Sequence, residues 1–266
     1  MMFSEPELIE PRTAALVKGH RPVKKHFLLL AAFFSIAAAP IHSAAQQPAA
    51  SKAQQPVFSV NAQAERLQNL GVLKKQLEQY HDCTCKCGCY THDIDIQTDR
   101  AIAFLRRRAA HHNPQEKLAM VFDIDETTLS NYAEMLAAGF AYESKAFDAW
   151  VQTAKAPAIP GSLRVFNEAQ RLGVGVFFIT GRHENERDAT ERNLREQGFE
   201  NWQQLTLRPA SGGPATTIEY KSAERGKIVA QGYKIVLNVG DQWSDLKGKP
   251  EAEFSVKYPD PYYFLP

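Results

Sequence analysis

Apolar residues fall along this chain in two textures. Before residue 114 they recur at helical spacing. Leu67, Leu70, Leu73, Leu77 and Tyr80 lie three or four positions apart, which predicts a helix over 61–80. A second helix is predicted over 98–110, ending at His111-His112-Asn113-Pro114. After Pro114 the texture changes to short continuous apolar runs, at 118–123, 174–180 and 235–239, with a weaker one at 205–208. Helical stretches separate them, over 131–138, 143–153, 162–172, 185–197 and 219–231, the last two stopped by Gly198 and Gly232. A strand that is apolar throughout is buried on both faces. Such strands alternating with helices predict a parallel sheet with helices on both sides, a three-layer α/β domain over 116–266. Residues 61–115 are then a helical extension that packs on it or helps close its site. No internal repeat is visible.

The first residues stand apart from this pattern. Arg12, Lys18, Arg21, Lys24 and Lys25 precede an apolar run over 27–39 that is short for a bilayer span and long enough for the core of a signal peptide. Ser43, Ala44 and Ala45 supply small residues, so cleavage is expected after Ala45, with 1–45 as an export signal. The charged stretch is long for a signal, and Val23 would give a compact alternative start. Residues 46–60 read as a polar linker rich in Gln, Ala and Pro. No cysteine precedes Cys83, so no lipid attachment is expected at the cleavage point and no stable membrane anchor. The expected compartment is the periplasm or the outside of the cell.

Composition narrows the function classes. Among 266 residues, 31 are Lys or Arg and 30 are Asp or Glu, a formal net charge of +1. A chain so balanced has no excess of cations to spread over phosphates, which argues against a nucleic-acid binder.

The residues just past each predicted strand carry the chemistry. The first strand ends in Asp123-Ile124-Asp125-Glu126, the second in Thr180-Gly181-Arg182, and the one at 235–239 in Gly240-Asp241 with Asp245 close behind. Ligands bind at the carboxyl ends of parallel strands, so four aspartates, a hydroxyl and a cation converge on one rim. Clustered carboxylates repel unless a cation sits among them, and hard oxygen donors favour Mg²⁺. Asp123 and Asp125 are two apart and point the same way in an extended segment. One can attack phosphorus while the other handles the leaving group's proton. Thr180 and the amides after it, Gly181 and Arg182, can hold phosphate oxygens. Arg182 is equally open to a structural ion pair. Lys221 is the best candidate for the charge-stabilising cation, with Lys227 its competitor on the same helix.

These strings resemble the haloacid dehalogenase superfamily, with its D-x-D-x-T, Ser/Thr, Lys and acidic motifs. More narrowly, the chain is similar to class B-like acid phosphatases, the group of bacterial exported acid phosphatases, lipoprotein e type phosphatases and plant vegetative storage proteins. The matching strings are FDIDETTLSN (122–131), APAIPGSL (156–163), FFITGR (177–182), YKSAER (220–225), GYKIVLNVGDQWSDLKG (232–248) and YPDPYY (258–263). The resemblance implies a Rossmann-like fold and an Mg²⁺-dependent phosphomonoesterase working through a phospho-aspartate. It implies Asp123 as nucleophile and Asp125 as general acid/base. It places Mg²⁺ on Asp123, the main-chain carbonyl of Asp125 and Asp241, with Asp245 in the ligand shell or just behind it. Thr180 and Lys221 would hold the phosphate. Storage members can lack the nucleophilic Asp, which this chain keeps, and Asp125 argues against dehalogenase chemistry.

Other features stay open. The same residues would serve transfer to an alcohol as well as hydrolysis, and a weakly active binding or storage protein is the rival from another class. The partner implied is a small nucleotide, sugar or aryl phosphate, and a homo-oligomer is allowed. Trp150, Trp243, Tyr262 and Tyr263 are candidates for a wall around the leaving group, with core packing the plainer reading. His183 is expected to be exposed, since the family's chemistry needs no histidine. Cys83, Cys85, Cys87 and Cys89 depart from the resemblance. Disulfides, a thiolate metal site and a local insertion without catalytic meaning all fit them.

Overall fold

The structure is a computed structural model describing residues 68–85, 89–211, 213 and 216–265. The expected export signal, its cleavage point, the linker and the start of the helix from residue 61 lie outside these residues.

Helices α1 (Leu70–Asp82) and α2 (Tyr90–Ala110) precede strand β1 (Lys117–Phe122). Then come α3 (Tyr132–Ala137), α4 (Ser144–Thr153), α5 (Pro160–Arg171) and β2 (Gly175–His183). One turn of 3-10 helix leads into α6 (Arg187–Glu196), then β3 (Gln204–Arg208), α7 (Thr217–Ala230) and β4 (Tyr233–Gly240). A short α8 (Trp243–Leu246) and β5 (Phe254–Lys257) complete the described part.

The strands form one parallel sheet in the order β3-β2-β1-β4-β5, with β1 at its centre. The change of direction at β1 is where a doubly wound sheet opens a crevice at its carboxyl edge. Successive residues of β1 serve opposite faces. Met120 and Phe122 join Val176, Phe178 and Val236 in the larger core, which also takes Ile94 and Leu105 of α2 and Val165 and Phe166 of α5. Ala119 and Val121 join Phe177, Ile179 and Ile235 beneath Tyr220 and Ile228 of α7. The predicted three layers are therefore present: α2 and α5 on one face, α7 on the other.

Several elements differ from the pattern in the sequence: α1, expected over 61–80, starts at Leu70 behind its Asn69 cap and runs to Asp82, and α8 was not foreseen. Helix α2 begins at Tyr90, about two turns before the predicted start at 98. Its buried stripe is Tyr90, Ile94, Thr98, Ala101 and Leu105, and polar Thr98 breaks the apolar rhythm. The break is harmless because Thr98 Oγ1 and the Tyr258 hydroxyl lie 3.1 Å apart in a buried hydrogen bond. The edge strand β5 is unforeseen, being four residues in a polar stretch with only Val256 fully covered. No helix among the described residues is long and apolar enough to cross a membrane.

Candidate active site

The turn after β1 is built by its own polar atoms. Asp123 continues the strand, its N–H donating to the Val239 carbonyl at 3.0 Å. The chain then folds over the Ile124 carbonyl, which accepts from the amides of Thr127, Thr128 and Leu129. Glu126 takes a left-handed conformation (φ 53°) to make that turn. Thr128 Oγ1 donates to the Asp123 carbonyl, and Ser162 Oγ, from the start of α5, donates to that of Thr127. Thr127 Oγ1 reaches across to Asp241 Oδ1 at 2.9 Å and ties this turn to the end of β4.

Three carboxylates meet there. Asp123, Asp241 and Asp245 are all buried, and each offers an oxygen within 4.8 Å of the others. Lys221 of α7, only 4% exposed, lies between two of them, its Nζ 2.5 Å from Asp123 Oδ1 and 2.5 Å from Asp245 Oδ1. Lys227, by contrast, pairs with Glu224 on the outside of the helix at 2.7 Å, so Lys221 is the lysine of the site. Burial pushes Asp123 up, to about 7, with Asp245 and Asp125 adding to the shift and Lys221 opposing it. Asp241 is pushed well up by burial, then by Asp245 and Asp123. Burial works against the Lys221 ammonium, but Asp123 and Asp245 outweigh it and the net shift is upward. One ammonium among three buried carboxylates leaves negative charge uncompensated. The donors are hard oxygens, so the cluster suits a divalent cation of the oxygen-seeking kind.

Asp241 and Asp245 are held by neighbours that carry no signature of their own in the sequence. Gln242 Nε2 donates to Asp241 Oδ2 at 2.7 Å and also bonds Asp260 Oδ2, so the C-terminal YPDPYY string reaches the site. The Gln242 amide donates to Asp245 Oδ2 at 2.8 Å. Fully buried Arg225 donates to the carbonyls of Asp245, Lys247, Gly248 and Pro250, which fastens the loop after β4 to α7. Arg225 lies in the string YKSAER, four residues past Lys221, but the string alone does not show where its guanidinium points.

The end of β2 supplies the rest of the rim. Thr180 is fully buried and its Oγ1 accepts from the Arg182 amide at 3.1 Å. Gly181 is exposed, and a Cβ built on it would meet nothing within 4 Å, which leaves open space beside the carboxylates' rim. Of the two readings open for Arg182, the structure shows the ion pair. The side chain is 1% exposed and its Nη2 lies 2.7 Å from Asp125 Oδ1. Asn131 donates to the same oxygen at 2.8 Å. Glu126, wholly buried, accepts from both the amide and the side chain of Asn131. Burial and then Asp125 push Glu126 up to about 8, against Asn131. His183 is exposed, as expected.

The four aromatic candidates separate. Trp150 is half-buried and donates its indole N–H to Asn131 Oδ1 at 2.9 Å. Trp243 is 51% exposed, with Lys247 and Lys257 over its ring. The Tyr263 carbonyl accepts from Gln242. Tyr262 joins Tyr90, Tyr132, Phe140 and His81 in one aromatic cluster. The hydroxyls of Tyr90, Tyr132 and Tyr262 are buried there. Of the cysteine run, Cys83, Cys85 and Cys89 lie between α1 and α2, and Cys87 lies outside the described residues. Cys85 is disulfide-bonded, and the sulfurs of Cys83, Cys85 and Cys89 lie within 4.8 Å of one another.

Comparison with known proteins identifies the family. Residues 41–266 match the family described as HAD superfamily, subfamily IIIB (acid phosphatase). The chain is 40% identical over 148 residues to acid phosphatase 1 of Solanum lycopersicum, a match covering 54% of this chain and 58% of that one. It is 35% identical over 177 residues to a stem 31 kDa glycoprotein of Glycine max, covering 65% and 68%. The chain thus spans less than two thirds of the tomato relative. Among solved structures, a class C acid phosphatase from Bacillus anthracis shares the fold, with TM-score 0.60 and 24% identity over 73% of this chain and 86% of that one. A parallel sheet with three buried acids, a lysine and a threonine at its carboxyl edge, and a family match over most of the sequence, lead to one assignment: the chain belongs to the haloacid dehalogenase superfamily, subfamily IIIB, the acid phosphatases.

Proposed function

We propose that this protein hydrolyses small phosphate monoesters with Mg²⁺ as its cofactor, and that it does so outside the cytoplasm after removal of residues 1–45. The observation that carries the catalytic reading is Lys221, buried at 2.5 Å from both Asp123 and Asp245 in a cluster that also holds Asp241. A surface protein without chemistry has no reason to bury three carboxylates around one cation, because each costs desolvation energy. Asp123, Asp241 and Asp245, with the carbonyl of Asp125, are the residues that would hold Mg²⁺. When bound, Mg²⁺ offsets the repulsion between an anionic nucleophile and an anionic phosphate.

The chain's own groups then act in two steps. An Asp123 oxygen attacks phosphorus, the bond from phosphorus to the ester oxygen breaks, and that oxygen takes a proton from Asp125 as the alcohol leaves. Water next attacks the phosphorus of phospho-Asp123, gives its proton to Asp125, and the phosphorus–Asp123 bond breaks to release phosphate. Lys221, with Thr180 and the amides at Gly181 and Arg182, meets the phosphate oxygens where charge builds up. Arg182's guanidinium is turned away from this role by its pairing with Asp125.

The test is hydrolysis of p-nitrophenyl phosphate by the purified chain between pH 5 and 8, with Mg²⁺, with EDTA, and with Asp123→Asn. Activity that needs the metal and disappears in the variant is expected. Equal activity of Asp123→Asn would overturn the phospho-Asp123 route, and no activity from folded wild-type protein would overturn the reading in favour of a binding or storage role.

A further inference from the structure

Asp125 is held by a more deliberate set of bonds than its proton-transfer role requires. Its Oδ1 accepts three times: from Arg182 Nη2 at 2.7 Å, from Arg182 Nε at 3.0 Å and from Asn131 Nδ2 at 2.8 Å. Among the described residues its Oδ2 has one long contact, to Arg182 Nε at 3.3 Å. One oxygen is therefore saturated and the other is open.

Both donors are themselves fixed. Arg182 is 3% exposed, and its Nη1 donates to Thr190 Oγ1 of α6 at 3.1 Å. Asn131 is fully buried, and its own Oδ1 accepts from Trp150 Nε1 of α4 at 2.9 Å. An indole nitrogen can only donate, so the amide oxygen of Asn131 must face Trp150 and its NH₂ must face Asp125 and Glu126. Trp150 thus sets the orientation of the Asn131 amide. Without that N–H, the amide could turn over and set its oxygen against the carboxylate.

We propose that Asn131 and Arg182 are positioning residues that fix Asp125 with Oδ2 as the oxygen that exchanges the proton, and that Trp150 holds Asn131 in this register from helix α4. The inference rests on the proposed role of Asp125 in the phosphatase reaction. It assigns Arg182 and Trp150 an action through Asp125 and not through contact with the ester. In the first step, Oδ2 gives its proton to the departing ester oxygen as the phosphorus–oxygen bond breaks. An alkyl alkoxide needs that proton and p-nitrophenolate does not, so the two esters separate this function from folding or binding.

The experiment compares kcat/KM for 2-glycerol phosphate and p-nitrophenyl phosphate, which reports transfer to Asp123, in the full chain with Mg²⁺. The variants are Arg182→Lys, which keeps the charge and loses the fork, and Trp150→Phe, which keeps a ring and loses the N–H. The alkyl ester is expected to lose about 10- to 100-fold in Arg182→Lys and about tenfold in Trp150→Phe, while the aryl ester loses less than about threefold. Equal losses on both esters would overturn the proposal, as would a raised KM with unchanged kcat. Should Arg182→Lys fail to fold, Trp150→Phe decides alone, because its ring still fills the same space. Wild-type activity that Asp123→Asn abolishes, together with an unchanged ester ratio, sinks this inference and leaves the phosphatase standing. A wild type without activity sinks the phosphatase first.

Discussion

Gly240 lacks a side chain because of a residue further along the chain. A Cβ built there would overlap the Asp245 side chain, both its Cβ and its carboxyl group. The close approach of the β4 backbone to Asp245 lets that carboxylate reach Lys221 and the Gln242 amide together. Gly240→Ala is therefore expected to fold and to push the Asp245 carboxylate away from the cluster. A displacement of about 1 Å costs on the order of 100-fold in kcat/KM, and Mg²⁺ affinity should weaken alongside. Kinetics and a Mg²⁺ titration of the variant check this, and activity within about twofold of wild type would show that Asp245 has room to spare. At this scale the acids were legible in the sequence, since acids at the ends of apolar runs carry their own chemical meaning. Lys221 was legible as a candidate and gained its place only from burial. Asn131, Gln242 and Arg225 were not, although each lies in a string that resembles the family. Neutral amides and a guanidinium acting on backbone carbonyls have no signature apart from the partners they reach, and those partners are distant in sequence.

Helices α2 and α5 touch through a second glycine. A Cβ on Gly161, in the first turn of α5, would collide with Thr98 Oγ1 and with Ile94 Cγ2 of α2. The two helices are as close as they are because this position is bare. Gly161→Ala must part the helices or disturb the hydrogen bond between Thr98 and Tyr258. The expected loss is about 1–3 kcal/mol of stability, read by urea denaturation. An unchanged midpoint would mean that the α2–α5 contact yields without strain. The same contact explains which elements could be read from the pattern. Strands β1, β2 and β4 each hold a continuous apolar run bounded by chemistry, so their places stood out. Helix α2 was half hidden because Thr98 faces the core and finds its partner in Tyr258, beyond β5. Strand β5 was hidden altogether, since an edge strand needs few buried positions and Val256 alone shows no period. What escaped was the structure whose reason lies in long-range pairing.

At the scale of the whole molecule, ion pairs tie the layers together away from the site. Glu168 of α5 accepts from Arg106 of α2 and from Arg171 of its own helix. Glu116, just before β1, accepts from Arg108 of α2 and Lys234 of β4. Arg171 and then Arg106 lower the Glu168 carboxyl from its ordinary 4.5 to about 2. Arg108 and then Lys234 lower Glu116 to about 2 as well. The unfolded chain takes up these protons near 4.5 and the folded chain only near 2. Between those values the unfolded state binds more protons, so stability falls as pH falls. Above that window the contribution is complete and constant, which leaves the whole range of the proposed assay unaffected by these pairs. Removing one carboxylate should therefore matter at neutral pH and cease to matter in acid. Glu168→Gln is expected to lower Tm by no more than about 3 °C at pH 6 to 7, because Arg106 and Arg171 are largely exposed and screened. The gap between variant and wild type should hold down to about pH 5 and narrow by about pH 3. Calorimetry across that range decides the matter. A gap that stays constant or widens as the solution is acidified would mean that Glu168 stabilises the layers by shape and hydrogen bonding, with its charge contributing nothing.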